Sequence, residues 1–229
     1  MSKETLPHLE ALRNEMRRLN VDAVIIPGTD PHQSEYICDH WKFRDWISGF
    51  TGSNGTAVVT LDQAALWTDS RYFLQDEIEL RDSGFVMMKE NMGDDPTIHE
   101  WLQQVLEEDS VIAIDGMLYN AQQANQLERF CGENGFMLAT EFNPADAVWT
   151  DRPARPSEPA YVHDVKYAGQ EASEKIERLL KVLEDNEATA MLVTALDDIA
   201  WLLNLRGNDV AFTPVVIAFA YISRDNKVL

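Results

Sequence analysis

The residues of this sequence that could do chemistry are concentrated in one polar and aromatic segment, residues 29–46. The potential metal ligands in that segment are His32, Glu35, Cys38, Asp39 and His40. These residue types bind zinc, but their spacing matches no standard zinc site. The aromatic side chains among them are typical of a loop held in place by packing. We therefore expect a packed loop, and we keep a zinc site as the less favoured interpretation.

The common catalytic arrangements are absent from the rest of the sequence. It contains no HExxH, no GxSxG and no GxxxxGK[ST] phosphate loop. Gly49, Gly52 and Gly55 are three residues apart, unlike a dinucleotide fingerprint, and they precede a predicted strand, so they indicate a turn. The many acidic pairs are typical of solvated faces or helix caps, and Asp197 is predicted to cap a helix that begins at Asp198.

Arg71 is the residue that conflicts with its predicted local structure. The capping residues 68–70 predict a helix that begins at Ser70 and continues to Leu80. Arg71 would then be a cation in the first helical turn, which the helix dipole disfavours by ~0.3–1 kcal/mol. Such a conflict can mark a functional residue. A structural ion pair explains Arg71 about equally well, and its candidate partners are Asp69, Asp45 and Glu77.

Apolar periodicity predicts the elements that position these residues. Helices are predicted at residues 6–19, 70–80 and 120–132, and a further helix is initiated by residues 94–97, with Pro96 near its start, and has its apolar stripe at residues 98–106. Strands are predicted at residues 21–26, 56–60, 64–67, 85–89, 111–115 and 136–140. Strands that alternate with helices indicate an α/β domain with a partly parallel sheet.

The second part of the sequence repeats the order of the first. Three prolines in residues 149–159 indicate a linker. After it, a helix is predicted at 173–185, a strand at 188–194 and a short helix at 196–203. A polar turn at 204–209 and a strand at 214–222 follow. Residues 6–60 show the same order, so we infer two copies of one architecture, the second of them incomplete.

The composition excludes several classes of partner. The formal charge is −20, and no basic stripe interrupts it, so nucleic acid is not an expected partner. Cys38 and Cys131 lack CxxC spacing and indicate reduced thiols. No signal peptide and no apolar run of ~18 residues is present, so we expect a soluble cytoplasmic protein without a membrane partner.

Five stretches carry a family resemblance. They are DPHQSEYI (30–37), SGFTGSNGTA (48–57), WTDSRYFLQ (67–75), WTDRP (149–153) and ALDDIAWLLNLRG (195–207). In this order they resemble the amino-terminal region of the long, three-domain Xaa-Pro aminopeptidases. Those enzymes belong to the creatinase/prolidase/methionine-aminopeptidase family.

The resemblance implies a fold class and a division of the chain. The fold is a creatinase-like α/β domain with a mixed β-sheet flanked by helices, followed by a truncated second copy. The first domain is expected at residues 1–150, a proline-rich linker at 151–160, and the start of the second domain at 161–229. The catalytic domain of the family binds two divalent metals, normally manganese, and we expect it to be absent here.

The resemblance also implies a function for the parent protein. The parent removes the N-terminal residue that precedes proline, and this chain contributes substrate gating and assembly, with a homodimer as one arrangement. The chain itself then carries no catalytic residue and no metal ligand. Arg71 is the expected substrate-binding residue, because the matching arginine of the family is associated with binding proline-containing peptides.

Two other functions stay open at this point. One is a stand-alone creatinase-like binding or interaction module without peptidase activity. The other is a relative of the amidohydrolases that handle small guanidino compounds. The sequence encoded beyond Leu229 would discriminate among them, because only the peptidase requires an Asp, Asp, His, Glu, Glu ligand series there.

Overall fold

The computed structural model of the chain describes residues 5–225 and residue 228. They divide into two compact units. Residues 5–33 and 39–153 form the first unit, and residues 34–38 belong to the second unit together with those from 154 onwards.

A six-stranded mixed sheet forms the centre of the first unit. Its strands are β1 (Ala23–Pro27), β2 (Thr56–Thr60), β3 (Ala64–Thr68), β4 (Val86–Lys89), β5 (Val111–Ala113) and β6 (Met137–Ala139). Their order in the sheet is β4-β3-β2-β1-β5-β6. Strand β2 is antiparallel to both neighbours, and the other pairs are parallel. The predicted mixed, partly parallel sheet is confirmed.

Helices cover both faces of this sheet. They are α1 (Thr5–Leu19), α2 (Phe43–Ser48), α3 (Phe73–Glu79), α4 (Ile98–Val105), α5 (Ala121–Glu133) and α6 (Pro144–Val148). Successive residues of a strand point to opposite faces. Val24 and Ile26 accordingly pack in one apolar cluster with Leu12 of α1. Ala23 and Ile25 pack in a second cluster, to which α4 and α5 contribute.

Local sequence signals account for several helix boundaries. Helix α1 ends at Leu19, and the next residue, Asn20, has a φ of 54°, the left-handed conformation that favours asparagine in a cap. Thr97 and Glu100 form a capping box at the start of α4. Gly49 ends α2 with a φ of 80°, which suits a glycine.

The second unit contains two short antiparallel pairs of strands. Its strands are β7 (Tyr161–Val162), β8 (Ala190–Val193), β9 (Leu205–Arg206) and β10 (Ala220–Ser223). Its helices are α7 (Val165–Ala168), α8 (Ala172–Asp185) and α9 (Leu196–Leu202). Strand β8 pairs with β10, and β7 pairs with β9. Among the described residues, no strand pairs with the other edge of β8, and Met191 and Leu192 on that strand are exposed.

The two units share an order of elements. In the first, α1, β1, α2 and β2 follow one another, and β2 is antiparallel to β1. In the second, α8, β8 and α9 follow one another, and after the two-residue strand β9 comes β10, which is antiparallel to β8. This is the repeated order that the sequence predicts. No helix among the described residues is long and apolar enough to cross a membrane.

Two expectations for the second unit are wrong. Asp197 does not cap a helix, because α9 already begins at Leu196, after Ala195. The strand expected at 214–222 is formed only at Ala220–Ser223. Asp209 Oδ2 accepts the backbone N–H of Ile217 at 2.8 Å, which holds the preceding segment as a loop.

The loop expected at residues 29–46 is also partly wrong, because α2 begins within it at Phe43. The helix has only six residues, and Gly49 donates its backbone N–H to the Asp45 carbonyl to end it. The hydroxyl of Ser48 donates back to the carbonyl of Arg44 at 2.7 Å. So short a helix shows almost no apolar periodicity.

Candidate functional site

The candidate site lies in the first unit, where the parallel strands β3 and β4 end. Asp69 and Arg71 follow β3, and Glu90 follows β4. The backbone N–H of Glu90 donates to the carbonyl of Thr68 at 2.9 Å, which keeps the two strand ends together. Ligands of α/β proteins commonly bind outside the carboxyl ends of strands.

Arg71 lies in a turn, not in the first turn of a helix as the sequence predicts. Helix α3 begins at Phe73, with Tyr72 at its N-cap position. The turn forms because Asp69 Oδ1 accepts the backbone N–H of Arg71 at 3.0 Å, a bond that aspartate often makes two residues on. Arg71 therefore precedes helix α3, and the expectation of a cation inside the first helical turn is wrong.

The side chain of Arg71 pairs with Asp69. Nε donates to Oδ1 at 2.9 Å, and Nη2 donates to Oδ2 at 2.7 Å. The Arg71 side chain is nevertheless 63% exposed, and its guanidinium carbon lies 5.1 Å from the ring centre of Tyr72. Asp69 was one of the three predicted ion-pair partners, so that structural interpretation has direct support. Substrate binding by Arg71 stays a prediction.

The charges of this site are set by Asp69. Its hydrogen bonds to Arg71 hold the pKa of the Asp69 carboxyl well below its usual range. Burial, and then the negative charge of Asp69, raise the pKa of Glu90. Asp69 is therefore ionised at neutral pH and compensates the charge of Arg71.

The loop before β2 is tied to this site at Asn54. The Asn54 side-chain amide donates to Asp69 Oδ2 at 2.7 Å, and its backbone carbonyl accepts the hydroxyl of Thr68 at 2.7 Å. The preceding residue, Ser53, shares a hydrogen bond of 2.6 Å with the hydroxyl of Tyr72. The position of Asp69 is thus coupled to the loop at residues 49–55, which we call the glycine loop.

Glu79 of helix α3 fixes the other end of the glycine loop. Its carboxylate accepts the backbone N–H of Thr51 at 2.8 Å and the Thr51 hydroxyl at 2.9 Å. Gln75 donates to the same carboxylate and to the same hydroxyl. The predicted turn is therefore present, and side chains from α3 hold it.

Arg44 binds the middle of the glycine loop, and it was not among the predicted site residues. Its side chain is buried, and Nη2 donates to the carbonyl of Gly52 at 2.5 Å and to Asp45 Oδ1 at 2.5 Å. A Cβ at Gly28 would lie 3.2 Å from the guanidinium carbon, and one at Gly55 would lie 2.9 Å from Nη1. The only sequence signal was a charged residue within an aromatic run.

Asp76 of helix α3 is also buried and was not predicted. Among the described residues, neither of its carboxyl oxygens has a hydrogen-bond partner. Burial, and then the charge of Glu79, raise the pKa of Asp76 to about 7, although Arg44 acts in the opposite direction. A carboxyl group in this environment holds its proton up to neutral pH.

A cavity of about 360 Å³ lies beside the end of β4. It is lined by Trp67, Lys89, Glu90, Asn91 and residues 95–99. Asp95 Oδ2 accepts the backbone N–H of Lys89 at 2.7 Å. This hydrogen bond satisfies one backbone donor on the outer edge of strand β4. The Trp67 indole N–H donates to the carbonyl of Pro96 at 2.8 Å, which closes the floor of the cavity.

A zinc or two-metal site has no support from the described residues. They contain no group of three or more His, Cys, Asp or Glu side chains placed to hold a metal ion. In the segment 29–46, for which zinc binding was the less favoured interpretation, His40 Nδ1 makes a 2.7 Å hydrogen bond with the carbonyl of Pro153.

Family models match both parts of the chain. A model described as the Creatinase/Prolidase N-terminal domain matches residues 8–148, and a second model with the same description matches residues 151–229. Two separate segments of one chain thus resemble the same kind of domain, which agrees with the inferred repeat.

Curated Xaa-Pro aminopeptidases are similar to this chain along nearly all of its length. A probable Xaa-Pro aminopeptidase P of Sordaria macrospora is 43% identical over 233 residues, which cover 100% of this chain and 38% of that protein. Aminopeptidase P2 of Arabidopsis thaliana is 42% identical over 214 residues, which cover 92% of this chain and 30% of that protein.

The structure of an X-prolyl aminopeptidase from Caenorhabditis elegans has a TM-score of 0.90 and 33% identity. The superposed part covers 98% of this chain and 38% of the C. elegans chain. The chain therefore spans about a third of the length of the relatives it matches, and the matched third is their amino-terminal part.

Proposed function

The chain belongs to the creatinase/prolidase N-terminal domain family, and from this we propose that it is the non-catalytic, amino-terminal portion of a metallo-aminopeptidase. The parent enzyme removes the N-terminal residue that precedes proline. The observation that carries this proposal is the match to Xaa-Pro aminopeptidases along the entire chain. In this proposal the chain contributes substrate gating and assembly.

The proposal divides the chain as the sequence suggests. Residues 1–150 are the first creatinase-like domain, residues 151–160 a linker, and residues 161–229 the start of the second domain. The two family matches support this division, because they meet between residues 148 and 151. The unpaired edge of β8 supports an incomplete second domain, since a sheet edge of this kind normally pairs with more chain.

The metals of the reaction are assigned to the part of the parent that this chain does not cover. The C. elegans relative is described as having a di-nuclear active site, which supports two metal ions in the parent, and we propose Mn²⁺. The described residues of this chain offer no ligand set for them. The same relative is described as cytosolic, which supports a cytoplasmic location.

Arg71 is proposed to bind the peptide. Its guanidinium is exposed at the carboxyl ends of β3 and β4, and Asp69 fixes its plane through two hydrogen bonds. A fixed guanidinium is suited to carboxylate or carbonyl oxygens. The partners in this proposal are proline-containing peptides, together with a second copy of the enzyme in a homodimer.

A chimera tests the proposal without knowledge of the longer parent. This chain replaces the matched stretch of the S. macrospora relative, and release of the first residue is measured for a peptide with proline second and for a matched peptide with alanine second. We expect proline-dependent cleavage by the chimera and none by a relative that lacks the stretch. The chain alone should cleave neither peptide and should contain no stoichiometric Mn²⁺ by elemental analysis.

The alternative is a stand-alone creatinase-like binding module. It predicts an inactive but folded chimera, together with binding of a protein or peptide by the chain alone. Cleavage or tight manganese binding by the chain alone would contradict both functions.

A further inference from the structure

Two buried polar groups lie below the glycine loop without hydrogen bonds that their chemistry requires. Both carboxyl oxygens of Asp76 and Nη1 of Arg44 have no partner among the described residues. Buried polar groups are almost always paired, so groups left without a partner need an explanation. Asp76 has a carboxyl group that can ionise, Arg44 has a permanent positive charge, and the two groups interact electrostatically.

The Arg44 side chain and the helix that carries Asp76 are both linked to the glycine loop. Arg44 binds the carbonyl of Gly52. Asp76 lies on α3 three residues before Glu79, which binds Thr51, and its backbone N–H donates to the carbonyl of Tyr72. The Tyr72 ring meets the Phe50 ring edge to face at 5.9 Å, and Arg44 lies 5.0 Å from the centre of the Phe50 ring.

We propose that Asp76 is a proton-controlled latch, which holds the glycine loop closed when it is protonated and loosens it when it is ionised. A neutral Asp76 leaves Arg44 bound to Gly52 and Asp45. An ionised Asp76 attracts the free Nη1 of Arg44 away from the loop. It also repels the carboxylate of Glu79, which holds Thr51. Both ties of the loop weaken together.

The charges around Asp76 agree with one bound proton. Helix α2 contributes Arg44 and Asp45, and α3 contributes Glu79. Lys42, which precedes α2, acts on Asp45, and Lys89 of β4 lies over the ring of Phe73 at the start of α3. Three carboxyl groups around one buried guanidinium leave an excess of negative charge, which a proton on Asp76 reduces.

The latch would act on the candidate site through Asn54. That residue belongs to the glycine loop and donates to Asp69, which in turn fixes Arg71. A looser loop removes one hydrogen bond from Asp69 and leaves the guanidinium less constrained. The proposal concerns the motion of the loop, so it stands or fails independently of whether the parent is a peptidase.

The test follows the amide of Thr51 by NMR in the purified 229-residue chain between pH 5.5 and pH 8.5. In the wild type we expect its chemical shift to titrate with a midpoint near pH 7. We also expect its protection from hydrogen exchange, corrected for intrinsic rates, to fall by about tenfold across the range. Asp76→Asn, which is uncharged at every pH, should remove both changes and match the low-pH wild type.

Glu77→Gln is the matched control, because Glu77 is the exposed neighbour of Asp76 on the same helix. It should leave the titration of Thr51 unchanged. If Asp76→Asn does not fold, the ¹³C shift of the Asp76 carboxyl in the wild type gives the midpoint directly. The latch is refuted if that carboxyl titrates below pH 5, if Thr51 does not respond, or if Asp76→Asn keeps the response.

Discussion

Asp69 contacts Arg71 at three points, through the backbone N–H, Nε and Nη2 of the arginine. One carboxylate therefore sets both the turn of the chain and the plane of the guanidinium. Because Asp69 also accepts from Asn54, the orientation of Arg71 depends on a residue seventeen positions earlier in the sequence.

Arg71→Ala in the active chimera should raise KM for longer peptides and leave kcat nearly unchanged. Loss of binding that is equal in ground state and transition state gives this pattern. The thermal midpoint should hardly change, because exposed ion pairs contribute only ~0.2–1 kcal/mol. Arg81→Ala, at an exposed arginine after α3, is the control. A normal KM with unfolding several degrees earlier would show that Arg71 is structural.

Gly52→Ala should destabilise the first unit by about 1–3 kcal/mol. An added Cβ would overlap the ring of Phe50 and lie 2.8 Å from Cδ1 of Tyr72. Gly132→Ala should do the opposite and stabilise by about 0.5–1 kcal/mol, because Gly132 lies in α5 with no atom within 4 Å of the added Cβ. Urea unfolding measures both. Equal effects would mean that the loop adjusts freely around position 52.

Asp76→Asn should increase stability at pH 8 and not at pH 3. The folded chain raises the Asp76 pKa from 3.8 to about 7, so the unfolded chain ionises first. The free energy of unfolding should fall as pH rises from about 4 to about 7 and level off above, with a total loss of about 2–4 kcal/mol.

A variant whose effect on stability depends on pH in the opposite direction controls for general effects of pH. Glu100 has a lowered pKa because it accepts hydrogen bonds from Thr97 in the capping box of α4. The ionised Glu100 stabilises the fold above its unfolded-state pKa, and this stabilisation is lost as pH falls. Glu100→Gln should therefore destabilise the chain at pH 8 and not at pH 3. Thermal midpoints of both variants across this range check the two signs. A pH-independent effect of Asp76→Asn would contradict the assignment.

Amides of β8 and β10 should exchange hydrogen faster than those of β1 and β2. The first pair is a two-stranded sheet, and no described strand pairs with the other edge of β8. Strand β1 lies between two neighbours in a six-stranded sheet. Mass-spectrometric exchange on the monomeric chain compares both pairs in one sample. Uniformly slow exchange across residues 188–222 would contradict an incomplete second domain.

Most elements of the first unit can be predicted from the sequence, because buried faces of helices and strands require apolar residues at regular spacing. The strand at Thr56–Thr60 was predicted with its observed bounds, since three apolar residues lie between two β-branched threonines and a polar turn follows. Helix α2 was missed because six residues are too short to show a helical period. The start of α3 was misplaced because Asp69 bonds to the turn at Arg71 and not to a helix.

The candidate site was less predictable, since its chemistry depends on contacts between distant residues. Arg71 could be singled out from its local sequence, although the helix-dipole reason for it was wrong. Nothing local distinguishes the buried Asp76 from the exposed Glu77 beside it on α3, because burial is decided by tertiary packing. Arg44 likewise acquires its role only when Gly28 and Gly55 from two different strand ends enclose it.

That enclosure restricts the substitutions that positions 28 and 55 can accept during evolution. A Cβ at position 28 would lie 3.0 Å from the carbonyl oxygen of Gly55 as well as 3.2 Å from the Arg44 guanidinium carbon, and one at position 55 would lie 3.0 Å from the carbonyl oxygen of Trp67 as well as 2.9 Å from Nη1. A smaller residue at position 44 would therefore relieve only part of the crowding, because the backbone contacts remain. Both glycines are held by the backbone and by the buried cation together, so a change at position 44 alone does not open either site to a side chain.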